Sequence, residues 1–410
     1  MMEHTFHTRR SFLTAGLALG ALHAFAGETA FGIPSHAEDP AWDAIRRRFS
    51  LKPGIVYMNN ASLGLPPTPV ADGVRSAYQW MSTHPLEAKH ALTDRVAQEV
   101  LPGLAHLLGA QADEFILLRN ASEGLHLLAT SLRLEAGDEV LITTQEHPGG
   151  RKPWRYRAAR HGVVVREVFI PSPHISEQDT LARFVGAITT RTKAIAFCHV
   201  TRGGHIYPVK ALATWARERG LVSIVDGAQA LGMFPIDLQE LGCDAYAASV
   251  HKWLLAPVGN GMAWIRQSSR NHFQSIYDEA STLATPNYAP IGTSDLPVKA
   301  AVGDALNFLQ RITLPAISTR NRYLSDTLKG LLARRSDLRI LSHPDVSCSA
   351  PGSTIFEIDG LDPVREVARL EQSGIYIDEH VRDGHQALRI STHYYNTEAE
   401  IERVCKALGR

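Results

Sequence analysis

The sequence predicts a doubly wound α/β domain followed by a smaller α+β section. Apolar runs alternate with segments of helical periodicity from Phe115 to Ile265, the pattern of a mainly parallel sheet whose strands are joined by helices. Several of those runs are apolar throughout, as expected where helices cover both faces of the sheet. From about Asp295 the order changes to helical stretches and then a mixture of strands and helices.

Taken in order, Gly54 to Pro67 reads as a short strand breaking into an Asn/Ser/Gly/Pro loop. Helical periodicity follows over 70–81 and 94–108. Strands are predicted at Phe115–Leu118, Glu139–Thr144, Val163–Ile170, Lys193–Val200, Leu221–Asp226, Ala245–Val250 and Gly261–Ile265. Helices are predicted between them at 123–134, 151–161, 178–188 and 208–219. Helical stretches 296–313 and 317–334 come next. The last section reads as strand Ser353–Ile358, helix Asp362–Gln372, strands Gly374–His380 and Ala387–Thr392, and helix Thr397–Leu408. The expected divisions are a leader over 1–37, an N-terminal segment over 38–66, a large domain over 67–295 and a small one over 296–410.

The chain has 410 residues, zero formal net charge, 44% hydrophobic and 20% charged residues. That balance gives no electrostatic reason to expect nucleic acid or an anionic membrane surface as partner. Thr8-Arg9-Arg10-Ser11-Phe12-Leu13 precedes an apolar run to Ala26 that is too short to span a membrane. It reads as a twin-arginine export leader, with cleavage expected after Ala26 or after Ala37. The expected location is periplasmic, with the twin-arginine translocase as a passing partner and no stable membrane anchor. The four cysteines are too sparse and too widely spaced for a disulfide framework or a metal-ligand motif.

The chemistry centres on Ala245 to Arg266, where Ser249-Val250-His251-Lys252-Trp253 follows an apolar strand. A lysine set among Trp253, Leu254 and Leu255 loses hydration, and its pKa falls towards the range where a free amine attacks a carbonyl. Alone, such a lysine is usually a snorkelling surface residue. Here Asp226 stands at the tip of another buried strand, and strand tips are where α/β sheets bind ligands. An Asp that holds a protonated pyridine nitrogen and a Lys that condenses with an aldehyde are the two protein groups pyridoxal phosphate needs. Asn120-Ala-Ser122-Glu123-Gly124 opens a helix and forms an anion seat fit for a phosphate, though Asn-x-x-Glu is also a plain capping box. Ser249 and His251 are further donors. His147, in the loop Glu146 to Gly150, can lie flat on the ring. Arg389 offers a planar fork for a substrate carboxylate, with a structural ion pair as the competing role.

In combination, VDGAQALG, SVHKWLLAPVGNG and LRISTHYYNTEAEI resemble class V aminotransferases, a family of fold-type-I pyridoxal-phosphate enzymes that includes cysteine desulfurases and isopenicillin N epimerase. The likeness runs from about Tyr57 to Arg403. It implies a mainly parallel seven-stranded sheet, pyridoxal 5'-phosphate as cofactor, and a homodimer. It implies Lys252 as the lysine that carries the cofactor, Asp226 at the ring nitrogen, Gln229 at the ring hydroxyl and His147 on the ring face. Ser122, Glu123, Ser249 and His251 are placed at the phosphate, Thr293 in a loop reaching a neighbour's phosphate, and Arg389 at the substrate carboxylate. Asn60 and Ser62 match the loop lining the substrate entrance.

Two departures limit the likeness. Desulfurases carry a nucleophilic Cys in the loop before the carboxylate-binding Arg, and Glu379 to Gln386 contains none. Thr201-Arg202 stands where desulfurases have an Asn, as in the epimerase branch. Arg202, with Arg151 and Lys152, points to a substrate with a second acidic group. A twin-arginine leader on this fold is similar to periplasmic enzymes that tailor the glutamyl residue of pyoverdine siderophores. The expected function is therefore an exported enzyme acting at the α-carbon of an amino acid or an amino-acid-bearing metabolite, on a small-molecule substrate. An epimerase, a C–S lyase and a non-catalytic binding protein are the rivals.

Overall fold

A computed structural model describes residues 36–39, 41–276 and 292–409. The paired arginines and the apolar run of the leader lie outside the described residues. Residues Ile33–Arg410 form one compact unit.

The first strand, β1 (Val56–Tyr57), is followed by helices Thr68–Thr83 and Pro85–Arg95, a π-helical turn Val96–Val100, and helix Leu101–Leu108. The strands that follow are β2 (Phe115–Leu118), β3 (Glu139–Thr143), β4 (Val164–Val168), β5 (Thr192–Cys198), β6 (Val222–Asp226), β7 (Ala245–Ala248) and β8 (Gly261–Ile265). They form one seven-stranded sheet in the order β2-β8-β7-β6-β5-β3-β4. Only β8 runs antiparallel to its neighbours, β7 and β2. The expected seven-stranded, mainly parallel sheet is present. The strands interlock with helices Ala121–Ser131 and Pro148–His161 through a core of Leu125, Leu128, Ile142, Trp154, Ala196, Ile224, Ala247 and Ala263. Fully burying each large aliphatic side chain contributes roughly 1.5–3 kcal/mol.

The remaining strands are β9 (Leu338–Ile340), β10 (Ser353–Ile358), β11 (Ile375–Tyr376), β12 (Asp378–Arg382) and β13 (His385–Ser391). Four of them form an antiparallel sheet, β12-β13-β10-β9, backed by helices Leu314–Leu332 and Glu398–Ala407 around a second core of Leu324, Leu328, Phe356, Ile390, Ile401 and Val404.

The structure departs from the expectation in three places. The stretch Gly374–His380 is two strands, because β11 pairs in parallel with β1 (Val56 opposite Ile375) while β12 pairs with β13. The N-terminal segment is therefore tied to the last third of the chain, and Val56 and Met58 belong to the second core. Helix Pro85–Arg95 and the short β9 were not read from the sequence, because neither has a clean apolar period of its own. All four cysteines are free. No helix of the described residues is long and apolar enough to cross a membrane.

Candidate active site

In the order of the parallel strands, the chain first runs outward from β3 to β4 and then crosses back to β5, β6 and β7. Such a reversal leaves a crevice at the carboxyl ends of the strands. A cavity of about 150 Å³ lies there. Its wall brings together residues at the ends of β2, β3, β5, β6 and β7, from the loop after β1 and from β13, among them Ser62, Ser122, His147, Arg202, Asp226, Gln229, Ser249, Lys252 and Arg389.

Asp226 is the last residue of β6 and is buried, with Oδ1 accepting the Ala228 amide at 2.9 Å. Burial holds its carboxyl above the usual range, opposed by that amide and by the charge of Lys252. Lys252 lies beyond β7. Burial pushes its amine down to about 8; Asp226 pulls it back up, and the guanidinium groups of Arg389 and Arg202 add to the fall. At pH 7 about a tenth of such an amine is uncharged, against roughly one part in three thousand at the ordinary lysine value.

The backbone around Lys252 is clasped from three sides. The Lys252 carbonyl accepts from Asn60 Nδ2 at 3.3 Å, that of His251 from the Gly64 amide at 2.9 Å, and that of Trp253 from His393 Nε2 at 3.1 Å. A Cβ added at Gly64 would fall 2.0 Å from the Lys252 carbonyl oxygen, so only glycine allows this approach. Leu255, three residues on, is held at φ 59° in a fully packed setting. Strain at a functional loop persists only where its surroundings over-determine it.

Helix Ala121–Ser131 starts at the cavity. Ser249 Oγ accepts the Ala121 amide (2.9 Å) and Asn120 Oδ1 accepts that of Glu123 (2.9 Å). The amide and hydroxyl of Ser122 remain for an anion at a helix N-terminus. His147 caps the next helix, its Nδ1 accepting the Gly149 amide at 3.0 Å, which leaves the proton on Nε2. Burial and the cations Lys252, Arg382, Arg202 and Arg389 push its pKa down to about 4, so the ring that lines the cavity is neutral.

Arg389 and Arg202 converge on one carboxylate, Asp378. Arg389 Nη2 pairs with Asp378; Arg202 Nη2 reaches it at 3.2 Å and Glu379 at 2.8 Å. Burial lowers the Arg389 pKa to about 10, with Asp378 opposing. The Nε of each arginine is buried without a partner.

Four expected residues are not in the wall. The Glu123 carboxylate pairs with Arg119 and caps its amide, so it serves the helix start. His251 turns its Nδ1 to the Asn260 carbonyl at 2.9 Å. Asn60 is fully buried behind the lysine, held by Tyr395, and braces rather than lines the entrance. Thr293 is exposed, outside the cavity. Gln229 lines it, but its amide already spans Ala61 O (2.9 Å) and Trp253 Nε1 (2.8 Å), which leaves one N–H for a ligand. Arg151 pairs with Glu167 away from the site.

Sequence reasoning missed two acids. Asp378 became visible only once β12 was paired with β13. Glu146 is buried beside β3 and β5, accepting from Thr143 Oγ1 (2.5 Å) and the Cys198 amide (3.2 Å). Burial, reinforced by the charge of Asp226, pushes it up to about 8. Its place directly before His147, just past a strand end, was the available signal.

The donor set fits pyridoxal 5'-phosphate. A buried amine of lowered pKa and a buried carboxylate address one small cavity, a neutral imidazole lines it as well, and a helix N-terminus with two serines is ready for a dianion. Fold and site define a pyridoxal-phosphate-dependent enzyme of fold type I.

Comparison with known proteins agrees. The sequence model of the aminotransferase class-V family matches residues 56–404. The chain is 32% identical to isopenicillin N epimerase of Amycolatopsis lactamdurans over 398 residues, 90% of this chain and 98% of the relative. It is 27% identical to a probable cysteine desulfurase of Xylella fastidiosa over 409 residues, 90% and 95% of the two chains. A solved structure of the enzyme C-DES, a variant with glycine covalently linked to its pyridoxal phosphate, superposes with a TM-score of 0.81 at 22% identity, over 88% of this chain and 98% of that one. The chain belongs to the aminotransferase class-V family.

Proposed function

We propose that the protein is an exported enzyme acting at the α-carbon of an amino-acid head group carried on a larger metabolite, such as the glutamyl residue of a pyoverdine-type siderophore. The observation that carries the α-carbon reading is the pairing of Lys252 with Asp226 across one cavity, with Arg389 and Arg202 at its rim. When bound, pyridoxal phosphate supplies an aldehyde for the amine and a ring that draws electrons from bonds at the α-carbon.

The chain's own residues do the rest. Asp226 keeps a proton on the nitrogen it faces. Arg389 and Arg202 exchange Asp378 for a substrate carboxylate and present their unpartnered Nε donors to it. Lys252, freed once substrate is seated, moves a proton at the α-carbon. Having no cysteine between Glu379 and Gln386, the chain lacks the nucleophile of persulfide chemistry. The likeness to isopenicillin N epimerase favours epimerisation as the second reading.

Export rests on Arg9-Arg10 and the apolar run after them. The carbonyls of His36 and Ala37 accept from Trp42 Nε1 (3.0 Å) and Arg320 Nη1 (2.7 Å), so cleavage after Ala26 keeps contacts that cleavage after Ala37 removes.

The test is incubation of the purified holoenzyme with free amino acids and glutamyl-bearing siderophore precursors in heavy water, with and without a keto acid. Mass spectrometry after chiral separation is expected to show one of three changes in a precursor, loss of nitrogen to a keto product, loss of carbon dioxide with α-deuterium, or inversion with α-deuterium, and no change with Lys252→Ala. Unchanged precursors with every additive would sink the substrate class. Full turnover by Lys252→Ala would sink the α-carbon role.

A further inference from the structure

Away from the cavity, three potential ligands from two distant stretches meet. His174 follows β4, while His343 and Cys348 lie in the loop between β9 and β10. One ring nitrogen of each histidine and the Cys348 sulfur all lie within 4.8 Å of one another. His174 is 1% exposed, yet neither of its nitrogens has a hydrogen-bond partner. Buried imidazole nitrogens without partners are costly, and a native structure rarely carries two on one ring without a use for them. The His174 and His343 rings stack at 4.9 Å between centroids, and Cys348 is buried beneath.

We propose that His174, His343 and Cys348 form a binding site for one zinc-type transition-metal ion, separate from the active-site cavity. Two imidazoles and a thiolate are borderline-to-soft ligands, suited to zinc and poor for magnesium or calcium. Zinc with bonds of about 2.0 Å to nitrogen and 2.3 Å to sulfur sets its ligand atoms roughly 3.3–3.7 Å apart. The three atoms therefore close by about 1.5 Å at most on binding. His174 can turn at no cost in hydrogen bonds. His343 Nδ1 accepts the Asp345 amide at 3.0 Å, so binding through that nitrogen replaces one exposed turn bond. The Cys348 thiol gives its proton to solvent, and three protein ligands leave a fourth position for water. Glu177, Asp179 and Asp345 lend negative charge nearby, while the guanidinium of Arg322 is engaged by the Val346 and Ser349 carbonyls. The ion would join the loop beyond the edge strand β4 to the small sheet. It would also lie behind the turn bearing Arg202, since the His205 ring sits 6.0 Å from that of His174.

The experiment uses holoenzyme first reduced with borohydride, so that the cofactor cannot exchange or chelate freely, then stripped with a chelator and titrated with zinc chloride. Uptake of one zinc per chain with a rise in melting temperature is expected, and magnesium should give neither. Cobalt(II) in its place should give a thiolate charge-transfer band. Cys348→Ser and His174→Phe should each weaken zinc binding by on the order of a hundredfold or more and abolish that band. Metal-free His174→Phe should melt no lower than the metal-free parent, because the ring's unpaired nitrogens are gone. No zinc uptake by the parent, or unchanged uptake by both variants, overturns the site. A metal-free His174→Phe protein that melts far lower assigns the histidine to packing and overturns it equally.

Discussion

Asp226 and Lys252 stand at the carboxyl ends of neighbouring parallel strands, β6 and β7, and line one cavity from two directions. Each attracts the other's charge, yet burial outweighs that attraction at both, raising the acid and lowering the base. The pair is held in readiness for a ligand that brings charge of its own.

The Lys252 amine fixes a pH dependence. Its pKa of about 8 lies below the ordinary 10.5, so the reactive free amine grows as pH rises to 8 and levels off above it. The rate at which apoprotein becomes labelled by pyridoxal phosphate plus borohydride is expected to climb about tenfold per pH unit below 8. A rate still climbing at that slope between pH 9 and 10 would mean an ordinary lysine.

Asp226→Asn keeps the acceptor that holds the Ala228 amide, so the fold should survive. The neutral amide no longer stabilises a proton on the nitrogen it faces. Turnover is expected to fall by about 10²–10³-fold with cofactor still bound. Measuring cofactor content by absorbance alongside kcat separates this from simple loss of binding.

Arg202→Ala removes one of two guanidinium groups at Asp378, while Arg389 keeps that carboxylate paired. KM should rise roughly tenfold with kcat little changed, the mark of an interaction made equally in ground and transition states. Stability should move by less than about 1 kcal/mol, because the pair is partly exposed.

Glu146 titrates near 8 in the folded protein and near 4.5 when unfolded. Between those values the folded state holds the extra proton, so this group's contribution is complete below 4.5 and is lost as pH rises through 8. Glu146→Gln should therefore gain on the parent between pH 5 and 8, by up to about 3 kcal/mol, in denaturant melts at the two pH values. An equal difference at both would place the charge elsewhere.

Much of this was legible in the chain. Asp226 and Lys252 were readable because a polar residue at the end of a wholly apolar strand stands out against its neighbours. The sheet was readable for the same reason, since buried parallel strands are continuous apolar runs. Asp378 and Glu146 were not placed, and Asn60 was set at the entrance rather than behind the lysine, because their work depends on partners 11, 52 and 192 residues away in sequence. Nor does anything in Val56-Tyr57 announce that its mate is Ile375-Tyr376. Pairings across such separations are chosen by the folded whole.

That mate has a consequence for how the enzyme matures. The loop Asn60 to Gly64, which grips the lysine backbone, hangs from a strand whose partner ends at residue 376 of 410. A growing polypeptide thus makes one half of the grip long before the other. Until that mate is in place, the lysine's segment lacks one side of its seat.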